Sequence, residues 1–156
     1  MHSHSFKPGQ AQKGVAMVEF AIALPLLLLL LLAIAEFGRM LYHYNNLLQA
    51  NRDAVRYLAG KSWNTTLGQV VIDSELAATT KNLAVYGVPV AQPGNEEVVP
   101  GLSTDDVTVG TVGTEHVQVS TSYVFRPVIG NGLPALIGDA IPLNFPLVAT
   151  TVMRGL

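Results

Sequence analysis

The chain contains no cysteine, and few of its residues carry charge. Without cysteine, neither a disulfide framework nor a thiolate zinc site can form. Charged residues make up 13% of the sequence, about half of the roughly 25% that is typical of soluble domains. The formal net charge is −2, and lysine and arginine are scattered rather than clustered, which argues against nucleic-acid binding. The composition suits a protein of the cell envelope.

A long apolar run follows a short polar beginning. The 21 residues from Val15 to Ala35 contain one charge. As a helix rising about 1.5 Å per residue they span about 30 Å, the thickness of the hydrocarbon core of a bilayer. Lys7 and Lys13 precede the run, whereas Glu36 and Arg39 cancel each other after it. The positive-inside bias therefore predicts a cytoplasmic N-terminus and a C-terminal part on the other side of the membrane.

The single charge inside this run is Glu19. A carboxylate in a membrane segment costs a few kcal/mol at the helix centre, so anchoring alone does not require it. Cleavage between Gly14 and Val15 would place a new N-terminal ammonium one helical turn away, on the same chain or on a neighbour. That ammonium could offset the desolvation of the carboxylate. The sequence thus predicts a processing site at Gly14 and Val15 and an assembly role for Glu19.

Three segments of the N-terminal part carry a family resemblance: Val18 to Pro25 (VEFAIALP), Glu36 to Arg39 (EFGR) and Ala50 to Tyr57 (ANRDAVRY). With the short basic leader that ends in Gly14, they resemble the TadE-like minor pilins, or pseudopilins, of tight-adherence pili, which have a type IV prepilin-like N-terminus. The resemblance implies cleavage after Gly14 by a prepilin peptidase on the cytoplasmic side. It also implies that the mature helix joins or primes a filament.

The resemblance extends to partners and location. Expected partners are other pilin and pseudopilin subunits, the prepilin peptidase, the inner-membrane pilus assembly platform and membrane lipid. The implied location is the bacterial inner membrane, with the N-terminus cytoplasmic and the head periplasmic, or an extracellular pilus after assembly. The implied function is assembly of a tight-adherence pilus for surface attachment, and through it adhesion and biofilm formation.

Two other interpretations of the N-terminus stay open. An ordinary cleaved secretory signal would use Lys7 and Lys13 as its basic region and residues 26–32 as its hydrophobic region. Against it, Glu19 interrupts the hydrophobic approach, and the apolar run is longer than such a region usually is. An uncleaved membrane-anchored scaffold or binding protein of the periplasm would instead retain its leader.

Pro25 lies within the apolar run. An interior proline removes one backbone hydrogen bond and crowds the carbonyl four residues earlier, so we expect it to kink or loosen the helix. Neighbouring helices in a packed bundle can satisfy the freed carbonyl. Glu19, Phe20 and Pro25 are therefore the candidate assembly residues, with a harmless kink in a single anchor as the alternative for Pro25.

An amphipathic pattern continues beyond the run. Apolar residues recur at spacings of three, four and seven: Leu41, Tyr44, Leu47, Leu48, Ala54, Val55 and Leu58. This spacing predicts an amphipathic stem helix over residues 36–60, with Gly60 as its stop. A continuous helix from Val15 to Ala59 would be about 68 Å long. Two helices broken near Gly38 are the alternative.

The residues after the stem predict a small head. A strand candidate at residues 70–72 is followed by Asp73, the expected N-cap of a helix that ends near Gly87. Four residues of this helix are expected to face the stem: Leu76, Thr80, Leu83 and Ala84. Pro-Gly pairs at residues 93–94 and 100–101 then bracket a loop.

An antiparallel hairpin follows in the sequence. Residues 107–109 alternate between apolar and polar, residues 110–113 predict a turn, and residues 117–125 alternate again in a longer strand. A last strand over residues 143–153 would close the sheet. The apolar segment at 127–142 is expected either beneath the sheet or in a subunit contact.

The predicted fold class is therefore α+β: a long N-terminal transmembrane and stem helix, then a head with one helix and an antiparallel sheet of three to four strands. Its parts are a prepilin leader over residues 1–14, a transmembrane helix over 15–35, an amphipathic stem over 36–60 and a periplasmic or extracellular head over 61–156.

Residue patterns that indicate an enzyme or a metal site are scarce. His2 and His4 form a His-x-His pair, but they lie in the leader that we expect to be removed. Ser120, His116 and Asp106 could serve as nucleophile, base and acid, yet nothing in their spacing selects them. We predict no catalytic residue, no cofactor and no metal ion. A small exported hydrolase that depends on His116 stays as an alternative.

Overall fold

The longest element of the protein is helix α1, Ala11–Ser62, with 52 residues. A computed structural model describes residues 11–128, 132–133 and 141–156; most of the leader, and the central part of the apolar segment at 127–142, lie outside these residues. Helix α1 is about 78 Å long at a rise of about 1.5 Å per residue. It runs through Gly38 without a break, which confirms the predicted continuous helix and rules out two helices broken there.

Tertiary hydrogen bonds, and not Gly60, set the end of α1. We expected Gly60 to stop the helix, but α1 continues to Ser62, and Gly60 is not among the glycines with positive φ. The backbone N–H of Leu156 donates to the carbonyl of Ala59 at 3.0 Å, and that of Val71 donates to the carbonyl of Ser62 at 2.7 Å. Because these donors satisfy carbonyls that a helix end leaves free, no glycine cap is needed.

The second helix, α2, spans Ser74–Tyr86 and confirms the predicted one. The carboxylate of Asp73 accepts a hydrogen bond from the N–H of Leu76 at 2.7 Å. At the other end Gly87 has a φ of 70°, and its N–H donates to the carbonyl of Leu83 at 3.0 Å. The left-handed conformation is what a glycine after a helix provides. The residues predicted to face the stem are all buried or partly buried: Leu76, Thr80, Leu83 and Ala84.

The described strands form one three-stranded sheet and two short two-stranded ladders. Their bounds are β1 Trp63–Asn64, β2 Gln69–Val70, β3 Val107–Val112, β4 His116–Val124, β5 Gly132–Leu133, β6 Ile141–Pro142 and β7 Pro146–Arg154. The main sheet has the order β3-β4-β7 and is antiparallel, whereas β1 pairs with β2 and β5 pairs with β6. The architecture confirms the α+β fold class. The strand expected at residues 70–72 is shorter and begins one residue earlier.

The turn of the β3-β4 hairpin lies three residues later than predicted. We expected residues 110–113 to form it, but Gly110 pairs with Gln118 inside the ladder, and pairing continues to Val112 opposite His116. Gly113 then takes a φ of 67°. Of the two glycines in the predicted turn, Gly113 alone adopts the left-handed conformation for which glycine is favoured, so it marks the turn and Gly110 does not.

The core lies between α1, α2 and the inner face of the sheet. Along β4 every second residue is buried, as the alternation predicts: Val117, Val119, Thr121 and Tyr123. The buried residues of the stem are Glu36, His43, Leu47, Ala50, Asn51, Ala54, Val55, Leu58 and Ala59. Leu41, which we expected in this stripe, is 44% exposed, because it lies about 120° around the helix from Leu47.

A buried polar contact fixes the stem to the sheet. The side-chain amide of Asn51 donates to the carbonyl of Ala149 at 2.6 Å, and the hydroxyl of Thr121 donates to the amide oxygen of Asn51 at 2.6 Å. One side chain on α1 thus bonds to both β7 and β4. Burial without these bonds would cost about 1–3 kcal/mol, so the pair specifies how far along the helix the sheet sits.

Candidate functional site on the N-terminal helix

The predicted processing site lies on a fully exposed part of α1. Gly14 and Val15 are the fourth and fifth described residues of the helix. An added Cβ at Gly14 would meet nothing within 4 Å, and Val15 is 68% exposed. The backbone of this bond is helical, so cleavage there requires the first turns of α1 to unwind in the peptidase. Helix ends open at little cost compared with packed regions.

Glu19 lies on the same helix face as the predicted processing site. Gly14, Val15, Val18, Glu19 and Ile22 together line a shallow groove on the helix surface, as residues spaced by three, four and seven do. Within the described part of the chain, the Glu19 carboxylate makes neither a hydrogen bond nor an ion pair. If this face enters lipid or a helix bundle, the carboxylate needs a cation from outside these residues.

Phe20 and Pro25 also belong to the exposed part of the helix. Phe20 is 61% exposed, and Pro25 lies inside α1, which continues past it without interruption. Because proline has no N–H, it cannot supply a hydrogen bond to the carbonyl of Ala21. None of the five candidate residues lies against the described part of the head, so any function of theirs depends on surroundings that another molecule or the membrane supplies.

Glu36, the next acidic residue along the helix, has the opposite environment. It is only 5% exposed, and its carboxylate accepts a hydrogen bond from the N–H of Val128 at 2.8 Å. Arg39 lies 3.4 Å from the other carboxylate oxygen and donates to the carbonyl of Arg126. The sequence showed these two charges only as a cancelling pair. In the structure they join the end of the apolar run to the chain that follows β4.

Aromatic rings surround His43, one turn above Arg39. The imidazole lies 6.0 Å from the ring of Tyr123 and 5.7 Å from that of Phe125, both in edge-to-face geometry, and Arg39 lies over Phe125 at 5.1 Å. Among the described residues, Nδ1 of His43 has no hydrogen-bond partner. Burial lowers the pKa of His43 below its ordinary value, Arg39 lowers it further, and Glu36 opposes both.

The residues of the hydrolase alternative do not form a site. His116 opens β4, whereas Asp106 precedes β3, at the other end of the hairpin. A strand of this length separates the two by roughly 20 Å. The Asp106 carboxylate accepts from the N–H and hydroxyl of Ser103, both at 2.9 Å, and the hydroxyl of Ser120 lies 2.7 Å from that of Thr150. The other histidine pair considered, His2 and His4, lies outside the described residues.

Comparison with known proteins addresses the N-terminal helix. Residues 14–56 match the family model described as TadE-like protein. This part of the chain is TadE-like. The match begins at Gly14 and takes in all five candidate residues, so it confirms the resemblance seen in the sequence. No curated protein and no solved structure matches the chain.

The TadE-like segment covers the apolar half of α1 and most of the amphipathic stem. Gly14–Ser62 is long and apolar enough to cross a membrane, with a mean hydropathy of 2.7 in its most apolar window and none of that window buried inside the protein. TadE-like pilus proteins are not a family of enzymes. The length and hydropathy of this helix, together with the TadE-like match, indicate membrane anchoring.

Proposed function

We propose that this protein is a minor pilin or pseudopilin, made as a precursor and taking part in the assembly of a tight-adherence pilus for surface attachment. A prepilin peptidase cuts it between Gly14 and Val15, with the N-terminus cytoplasmic and the head periplasmic. Lys7 and Lys13 ahead of the span support this orientation. The protein is the substrate of an enzyme and has no catalytic site of its own.

The observation that carries the proposal is the unbalanced charge of Glu19 on an apolar helix. This carboxylate lies on an exposed, otherwise apolar helix, and no described residue balances its charge. A new ammonium at Val15, on the same or a neighbouring subunit, would lie within one turn and supply the missing cation. Glu19 thereby selects a processed partner helix, while Phe20 and Pro25 help that helix pack within a bundle.

The proposal has two steps, cleavage of the precursor and assembly of the mature protein. One substitution tests each step in the native host. In Gly14→Ile the branched side chain blocks the peptidase, so the protein keeps its full mass. In Glu19→Ala the mass is that of a chain beginning at Val15, but the protein recovered in sheared fibres falls by about tenfold or more, since a buried ion pair has lost one partner. Intact mass spectrometry and a fibre-to-membrane ratio measure the two effects.

Matched variants make the assembly test specific. Glu19→Gln keeps the size of the side chain and removes its charge, so it should fail as Glu19→Ala does. Leu31→Ala removes more apolar surface than either, and it should assemble normally. Normal assembly of both Glu19 variants would refute the charge pairing.

The precursor mass tests the alternatives. If the wild-type protein from its host keeps its N-terminus, the result favours an uncleaved membrane-anchored scaffold. If it is cut beyond Ala33, the result favours an ordinary secreted domain.

A further inference from the structure

An apolar groove lies where the stem leaves the span and meets the head. It has a volume of 470 Å³. The helix contributes one wall, and the chain around the end of β4 and the start of β7 contributes the other. Its described lining residues are Ala33, Ile34, Glu36, Phe37, Met40, Phe125, Leu143 and Phe145.

Glu36, the only charged residue among these lining residues, has its charge balanced within the protein. Its Oε1 accepts a hydrogen bond from the N–H of Val128, and Arg39 forms an ion pair with Oε2 at 3.4 Å. The Arg39 guanidinium in turn lies over Phe125 and donates to the carbonyl of Arg126. The described residues of the groove therefore offer its occupant apolar side chains and one balanced charge, which suits hydrocarbon better than a polar ligand.

The apolar surface continues out of the groove in two directions. Below it, Ile34 belongs to the last turn of the predicted span. Beside it, Phe37 is 58% exposed, Phe145 is 40% exposed and Val128 is 73% exposed. Phe145 is held in place because its carbonyl accepts a hydrogen bond from the N–H of Phe125 at 3.3 Å. The underside of the head, defined here by Phe37, Val128 and Phe145, is thus a continuation of the lipid-facing helix.

The depth of the groove fits the edge of a bilayer. Ala33 to Met40 spans about 10 Å along the helix axis. The headgroup region adds roughly 5–8 Å on each side of a hydrocarbon core of about 30 Å. With the 21 residues of Val15 to Ala35 in that core, the groove begins at its outer boundary and lies within the interfacial layer.

We propose that the underside of the head rests in the membrane surface and that lipid acyl chains fill the groove. The proposal rests on the membrane anchoring of the proposed function, and adds that the head contacts the bilayer rather than standing above it on the stem. Lipid is the occupant that the geometry favours, because the groove is continuous with the span and every copy in a membrane has lipid at that depth. Docking of a second copy is a competing outcome.

The absence of cysteine makes a direct test possible. Single-cysteine variants of the full chain are labelled with a nitroxide and placed in phospholipid nanodiscs that are large enough to hold two copies. Collisions of the label with oxygen, which concentrates in hydrocarbon, are compared with collisions with a water-soluble nickel chelate. Phe145→Cys and Phe37→Cys report the underside, and Val112→Cys, at the far end of the hairpin, serves as the matched head control.

The ratio of oxygen collisions to nickel collisions should be several-fold higher for a label at position 145 than for the label at position 112. The label at position 37 should give a similarly high ratio. Preference for nickel at both underside positions overturns the proposal. Low collision rates with both reagents also overturn it, since they mean contact with protein. Leu31→Cys distinguishes failure of membrane anchoring from failure of the underside contact. If the label at position 31 also collides mainly with nickel, membrane anchoring is refuted. If it collides mainly with oxygen while the label at position 145 collides mainly with nickel, the underside contact alone is refuted.

Discussion

The two halves of helix α1 are both rich in leucine and alanine, yet they have opposite environments. Leucines between residues 24 and 31 are largely exposed, whereas Leu47 and Leu58 are almost completely buried. The head covers the second half, and nothing among the described residues covers the first. An exposed apolar helix of this length gains stability only from surroundings outside the chain.

Two glutamates, one in each half of the helix, differ in the same way in their burial and in their partners. Glu36 is buried and bonded to Val128 and Arg39, while Glu19 is exposed with no partner among the described residues. A buried carboxylate that is paired within its own domain is destabilising only when its partner is removed, whereas an unpaired carboxylate in a membrane segment requires a partner from elsewhere. The comparison therefore assigns Glu36 to the structure of the head, and it supports the proposed role of Glu19 in assembly.

The largest expected difference between the halves comes from removing a leucine. Leu58→Ala should cost about 3 kcal/mol of unfolding free energy, because it leaves a cavity in the core. Leu31→Ala should leave the stability of the head unchanged. Denaturation of the full chain in detergent micelles, followed by the fluorescence of the partly buried Trp63, measures both. Equal losses for the two variants would contradict the division of the helix.

Substitution of Asn51 should cause the next largest loss of unfolding free energy. Asn51→Ala should cost about 2 kcal/mol, since it leaves the carbonyl of Ala149 and the hydroxyl of Thr121 without their buried partner. The exposed Asn45 gives a matched control, and Asn45→Ala should have little effect. Thr121→Val combined with Asn51→Ala should cost less than the sum of the single changes. Strict additivity would show that the two side chains do not act together.

The glutamates provide a smaller and more selective test. Glu36→Gln should lower the stability of the head by about 1 kcal/mol, because the ion pair with Arg39 is lost while an acceptor for Val128 remains. Glu19→Gln should leave the denaturation midpoint unchanged and affect assembly alone. If Glu36→Gln impaired pilus assembly without destabilising the head, the assignment of roles would be wrong.

The smallest effect concerns pH. The pKa of His43 is lower in the folded protein than in the unfolded chain, so folding favours the neutral imidazole. Its contribution is present above about pH 6.5, the ordinary histidine pKa, and is lost as the pH falls toward the folded pKa. Wild-type protein should thus lose more stability between pH 7.5 and 5.5 than His43→Phe does. Denaturation of both proteins at the two pH values checks this, and parallel losses would exclude His43 as the cause.

Local patterns predicted the elements that local chemistry controls. Helix α2 was predictable because Asp73 caps its start and Gly87 ends it in a left-handed conformation. The burial of alternate residues on β4 follows from strand geometry. The candidate residues of the helix were also readable from the sequence, since a lone glutamate after a glycine in an apolar run depends on no distant contact. Their roles in processing and assembly stay predictions.

Features that depend on distant segments were missed or misplaced. Gly60 does not end α1, because Val71 and Leu156 supply donors to the last turn. The buried face of the stem includes His43 and Asn51, which a hydrophobic pattern does not count, and it leaves Leu41 exposed. In the sequence, Glu36 was recognised only as a charge that cancels Arg39, because its hydrogen-bond partner Val128 lies far along the chain.

By itself the sequence determined a long apolar helix with one misplaced charge, an α+β head and a TadE-like N-terminus, because composition, periodicity and caps act over a few residues. Only the tertiary structure decided which side of the stem the head covers, which glutamate is satisfied and where an apolar groove opens at the end of the span. Those properties depend on pairs of residues far apart in the chain, and only folding brings such pairs into contact.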